Sequence, residues 1–179
     1  MHEGIELHEA HHEHGDNPLV IPVSVTISIL AVLVAAVTLL GHRSHTEEIL
    51  LQTQATDQWA YYQAKNIRRS NVQIAADLLG ALAPLDKEKA AALREKYEKE
   101  VERYETEKED ISEKAKELEK DRDLVSRRAD RFDGGEGLLE VGLVICSITL
   151  LTKRRVFWFG GVLIALAGVI FAASGFFLH

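Results

Sequence analysis

Five histidines near the start of the chain, His2, His8, His11, His12 and His14, are interleaved with Glu6, Glu9, Glu13 and Asp16. On a helix His8 shares a face with His11 and His12, and imidazoles three or four residues apart can share a zinc, copper or nickel ion. A metal site takes its geometry from a rigid scaffold and from outer hydrogen bonds that orient the ligands. A terminal tail supplies neither, so metal sensing by His8, His11, His12 and His14 ranks below the other readings of this chain.

Two further groups invite chemistry. The segment DQWAYYQAK at 57–65 places Trp59 and Tyr62 on one helix face and Tyr61 on another. Trp and Tyr supply anchors at protein contacts, but packing within a helix pair or between protomers is the simpler account. Glu136 and Glu140 stand four apart where an apolar run begins, a placement that suggests a proton or cation path. The simpler account is two carboxylates at the membrane surface. A carboxylate at the bilayer centre costs about 2.5–3.5 kcal/mol, and the place of Glu140 near one end of its run lowers that cost. The lone Cys146 lies in the same run and reads as a small packing residue, and no intramolecular disulfide is possible. Phosphate loops, nucleophile elbows and HExxH pairs are missing from the sequence. A non-enzymatic protein without a cofactor is expected.

The elements that carry these residues follow from a segregation of charge. Charged residues are 27% of the chain, yet none occurs from 18 to 40, and the excess is acidic at −7. No basic patch with interleaved aromatics suggests nucleic acid. Residues 18–40 follow an acidic His-rich tail, 1–17, and form an apolar run long enough to cross a hydrocarbon core of about 30 Å. The run is too long for a cleaved signal peptide and has no basic residues before it. Apolar runs at 134–152 and 156–178 are joined by the basic loop 153–155. In the last run Gly161 with Ala165, and Gly168 with Ala172, put small residues on one face, which lets another helix approach.

Residues 41–133 read as a long stalk. Tyr97, Val101, Tyr104, Lys108, Ile111, Ala115, Leu118, Arg122, Val125, Ala129 and Phe132 step by four and three, the spacing of a coiled-coil seam. Pairs such as Glu95 with Lys99, Asp110 with Lys114 and Asp123 with Arg127 support the exposed faces. A second, more polar stripe, Ile49, Thr53, Thr56, Ala60, Ile67, Asn71, Ile74, Leu78 and Ala81, marks a preceding helix. Pro84 breaks the chain between them and Asp86 is a good N-cap. The glycines at 134, 135 and 137 predict a hinge where the stalk meets the second run. The fold expected is all-α, with three transmembrane helices and a long antiparallel coiled-coil hairpin between the first and second.

Short basic loops stay cytoplasmic, which places Lys153–Arg155 and the amino terminus inside and the stalk outside. Arg43, Arg127, Arg128 and Arg131 beside the runs pull the other way. The segments DQWAYYQAK and FDGGEGLLEVGLVICSITLLTKRR, at 57–65 and 132–155, resemble signatures of a bacterial membrane family called domain of unknown function 4337. The resemblance covers nearly the whole chain and implies the same layout of one span, a helical segment and two spans. It implies no catalytic activity, substrate or cofactor. Family members typically carry basic residues before the first span, which this chain lacks. The sequence thus points to an inner-membrane scaffold in contact with lipid, homo-oligomeric or bound to an unidentified protein. Its contacts would come from Trp59, Tyr62, Tyr97, Val101, Tyr104, Ile111, Leu118 and Val125. The alternative is a channel or transport subunit with Glu140 near its pore.

Overall fold

The computed structural model describes residues 18–82 and 86–178, and nearly all of them are helical. Helix α1 covers Val20–Ala81, α2 covers Lys87–Thr152, and α3 covers Arg155–Ser174, followed by a single 3-10 turn over Gly175–Phe177. No strand occurs among the described residues. Each helix contains a stretch long and apolar enough to cross a membrane. At about 1.5 Å per residue, α1 and α2 are each roughly 90–100 Å long.

Local chemistry sets the helix ends. The Asp86 side chain accepts the Lys89 backbone N–H at 3.1 Å, capping α2. That bond, aided by the Lys89 side chain, holds the Asp86 carboxyl below its ordinary range. Pro22 sits in the first turn of α1, where its missing N–H leaves no hydrogen bond unmade. At the other end of α2, Lys153 adopts a left-handed conformation (φ 55°) and its N–H returns to the Thr149 carbonyl. Arg155 already belongs to α3, so the basic connection is two residues long.

No hinge interrupts α2 between Asp133 and Gly137, contrary to expectation, and the reason is packing against α3. A Cβ added at Gly135 would lie 2.9 Å from the Gly168 carbonyl oxygen, and one at Gly142 2.7 Å from that of Gly161. A Cβ at Gly134 would strike the Phe171 ring. Glycine in a helix costs about 0.8–1.0 kcal/mol relative to alanine, and close contact with α3 offsets that cost. The small face inferred for the last helix is the buried one, with Gly161, Ala165, Gly168 and Ala172 all inside. Its partner is α2 of the same chain.

Contacts between α1 and α2 run antiparallel: Thr38 meets Glu136, Trp59 meets Glu119, and Arg69 meets Glu105. On α2 the expected stripe faces α1, with Lys108, Ile111, Ala115, Val125, Ala129 and Phe132 buried and Tyr97, Val101, Tyr104, Leu118 and Arg122 half-buried. The stripe then continues through Gly135, Leu139, Gly142, Cys146 and Thr149. Of the expected ion pairs, Glu95 and Lys99 meet at 2.8 Å. Asp123 turns to Arg122 instead of Arg127, and Asp110 and Lys114 are not joined by an ion pair.

The stripe expected on α1 is a correction of greater consequence. Ile49, Ile67, Ile74 and Leu78 are 67%, 61%, 63% and 55% exposed, and Thr53, Thr56, Ala60, Asn71 and Ala81 are exposed with them. The face turned to α2 is the opposite one: Leu51, Ala55, Gln58, Tyr62, Lys65, Arg69, Val72, Ala76 and Leu79 are buried or half-buried. Hydropathy points to the wrong side because polar residues occupy the true seam. Lys65 pairs with Glu107 and Arg69 with Glu105 across it.

The two kinds of glycine should separate in thermal unfolding of the purified protein in detergent. Gly142→Ala forces a methyl into the α3 backbone and is expected to lower stability by about 1–3 kcal/mol. Gly137→Ala meets nothing within 4 Å and should leave stability unchanged or raise it by up to about 1 kcal/mol.

Candidate functional site

Midway along the paired stretch of α1 and α2, aromatic rings and ammonium groups interleave between the two helices. The Trp59 indole N–H donates to the Glu119 carboxylate at 2.8 Å, and its ring meets Tyr62 edge-on with centroids 5.6 Å apart. Buried Lys108 lies 5.3 Å from the Tyr62 centroid and donates to both Glu105 oxygens, at 3.2 and 3.3 Å. Lys65 lies between the rings of Tyr61 and Tyr104, at 5.4 and 5.3 Å, and pairs with Glu107. That hydrogen bond raises the Lys65 ammonium and lowers the Glu107 carboxyl from their ordinary values.

Each ammonium here is matched to a carboxylate and a ring face, an arrangement suited to fixing the register of two helices. Trp59 and Tyr62 are therefore half-buried between α1 and α2. Tyr97, Val101, Tyr104, Ile111, Leu118 and Val125 belong to the stripe that faces the chain's own α1.

Polar clasps join the helices just outside the apolar segments. His45 Nε2 lies 2.9 Å from Asp133 Oδ2, and Nδ1 lies 3.5 Å from Glu48. The hydrogen bond to Asp133, more than its charge or that of Glu48, raises the His45 pKa. Arg128 donates to the Leu178 carbonyl at 2.8 Å, and Arg131 stacks over Phe171. These basic residues hold the end of α3.

Glu136 and Glu140 do not act as a pair. Thr38 Oγ1 donates to Glu136 Oε1 at 2.6 Å. Glu140 instead is exposed in a groove formed with Ala31, Val34, Leu143 and Val144. It makes no hydrogen bond or ion pair among the described residues. Nor does it sit beside the ends of the neighbouring apolar stretches. Its neighbour Leu139 packs at Gly168 and Gly142 packs at Ala165, both near the middle of α3, while Ala31 and Val34 are mid-run in α1. The apolar run of α2 begins late, but the helices beside it extend past its start.

Cys146 packs its sulfur where a Cβ on Gly161 would need to be, 2.5 Å away, in keeping with a small packing role. No cluster of metal-binding side chains occurs among the described residues, and His8, His11, His12 and His14 lie outside them. Sequence reasoning missed the α1 seam, although Leu51, Ala55, Gln58, Tyr62, Lys65, Arg69, Val72, Ala76 and Leu79 repeat at strict four-three spacing. It also stopped the α2 stripe at Phe132, where steps of three and four lead on to Thr149.

This is an all-helical protein whose helices are long enough to cross a membrane three times and whose first two form a long antiparallel pair. The chain belongs to the family described as Domain of unknown function (DUF4337), whose model matches residues 19–178. The match leaves the histidine tail outside. No curated protein matches the chain, and no solved structure does.

The raised pKa of His45 gives a pH dependence with a defined sign. The clasp to Asp133 contributes fully below the ordinary histidine value of 6.5 and is lost as pH rises through the raised folded value. Because His45 is 44% exposed, the contribution is about 0.2–1 kcal/mol. Unfolding curves across this range should flatten in His45→Gln and in Asp133→Asn.

Proposed function

We propose that this protein is a non-enzymatic integral membrane scaffold that assembles with copies of itself through its stalk. Three helices span the bilayer, and the outer parts of α1 and α2 form a coiled-coil hairpin standing on it. The connection at Lys153 and Arg154 favours a cytoplasmic amino terminus and a periplasmic stalk in a bacterial inner membrane.

The outward face of α1 carries this reading. Thr46, Ile49, Thr53, Thr56, Ala60, Gln63, Ile67, Asn71, Ile74, Leu78 and Ala81 are all exposed and none is charged. The outward face of α2 is different in kind, with Glu95, Lys99, Glu102, Glu109, Glu113, Lys116 and Lys120 in water. A solvated helix face normally carries charge. Fully burying one Ile or Leu contributes about 1.5–3 kcal/mol, and four such residues stand mostly bare on each copy. The small face of α3 does not add to this support, since α2 already covers it.

Light scattering of the detergent-purified protein tests the reading. The expected particle is a defined multiple of 20.0 kDa, reduced in the double variant Ile67→Lys, Ile74→Lys. A wild-type monomer refutes self-assembly. Charges at Ile111 would be a poor test, because that side chain is buried against the chain's own α1.

A second reading is favoured by Glu140, a carboxylate without a partner at mid-depth of the spans. Intramembrane carboxylates of this kind mark ion or proton pathways. A channel or transport subunit predicts cation or proton flux in proteoliposomes that Glu140→Gln reduces at least tenfold. No flux under an imposed gradient removes it.

A further inference from the structure

Resting on the reading that the stalk self-assembles, we infer that the second copy packs on the outward stripe of α1 in parallel and in register, so that Ile49, Ile67, Asn71, Ile74 and Leu78 each meet their own counterpart.

The stripe lies on the side of α1 opposite the seam that holds α2, so a neighbouring helix can cover it without disturbing the hairpin. That neighbour has to present an uncharged face over residues 49–81, a length of about 50 Å. Within the described chain α2 cannot supply one, because its free face is dense with Glu and Lys. Helix α3 is only 20 residues long and packs on α2. The outward face of α1 itself meets the requirement of length and neutrality, which makes a second copy the occupant.

Direction follows from anchorage. Two copies held in one bilayer by the same spans present α1 in the same direction, with each residue level with its counterpart. In-register pairing then sets Ile on Ile, Thr on Thr and Asn71 on Asn71. Paired asparagines in a helix seam hydrogen-bond one another and disfavour shifted alignments. Reversed pairing centred between Gln63 and Ala64 would set Thr53 against Ile74 and Thr56 against Asn71. The stripe also continues toward the membrane through exposed Leu39, Val32 and Val25, at intervals of seven residues.

Disulfide trapping in membranes tests the arrangement, using the full chain with Cys146→Ala. Ile67→Cys, Asn71→Cys and Ile74→Cys should each give same-site dimers on mild oxidation, since a disulfide requires Cα atoms within about 7 Å. Glu113→Cys on the outward face of α2 should give at least tenfold less. Mixing Thr56→Cys with Asn71→Cys and obtaining only the mixed dimer would show antiparallel pairing and overturn the inference. So would an adduct of Asn71→Cys with a different protein. A particle multimeric by light scattering but untrapped at all three stalk positions overturns the inference and leaves self-assembly standing. A monomeric particle overturns both.

Discussion

The backbones of α1 and α3 approach each other at few points, although Trp158 Nε1 donates to Thr26 Oγ1 at 3.2 Å, so the molecule depends chiefly on one stripe of α2 that holds both of its neighbours. The size of the side chains along that stripe determines how closely each can approach. Ile111, Val125 and Phe132 keep α1 at side-chain distance, whereas Gly135 and Gly142 let the backbone of α3 come within van der Waals contact. The change from large to small occurs at Phe132–Gly135, the level at which the third helix ends. Gly134 and Gly135, which look like part of a hinge in the sequence, are thus the fitted half of a helix contact.

Between residues 41 and 133 the buried apolar residues are mostly small. Ala55, Ala76, Ala115 and Ala129 are buried there beside Ile111, Val125 and Phe132, and small residues in a seam fix its register weakly. Specificity therefore falls to the polar layer of Trp59, Tyr62, Lys65, Tyr104 and Lys108. Exposed ion pairs contribute only about 0–1 kcal/mol each. Lys108 differs because it is buried, and removing Glu105 would leave its charge without a partner.

The helical architecture and the stripe of α2 were legible because apolar residues repeat at the period of a packed helix. The small face of α3 was legible for the same reason. The α1 seam was not, because Gln58, Lys65 and Arg69 sit in it while Ile49, Ile67 and Ile74 face water, so hydropathy and packing disagree about the direction of the helix. That disagreement is itself informative, since the stripe found first is the one left without a partner. The depth of Glu140 also lay beyond the sequence. It depends on how far α1 and α3 slide along α2, which only the contacts at Gly142, Gly168 and Val34 define.

The unbroken course of α2 through Asp133–Gly137 gives the molecule a mechanical character. A helix without a break bends elastically and does not fold over, so a sideways load near Ala81 or Lys87 travels down both rods as a bending moment. The clasps His45–Asp133 and Arg128–Leu178 tie α2 to α1 and to the segment after α3 beside the apolar stretches, like a collar around a mast. A mast gripped this way cannot lean without tilting what lies below, and a small shift in the slope of the lower segments becomes a large sweep at the far end.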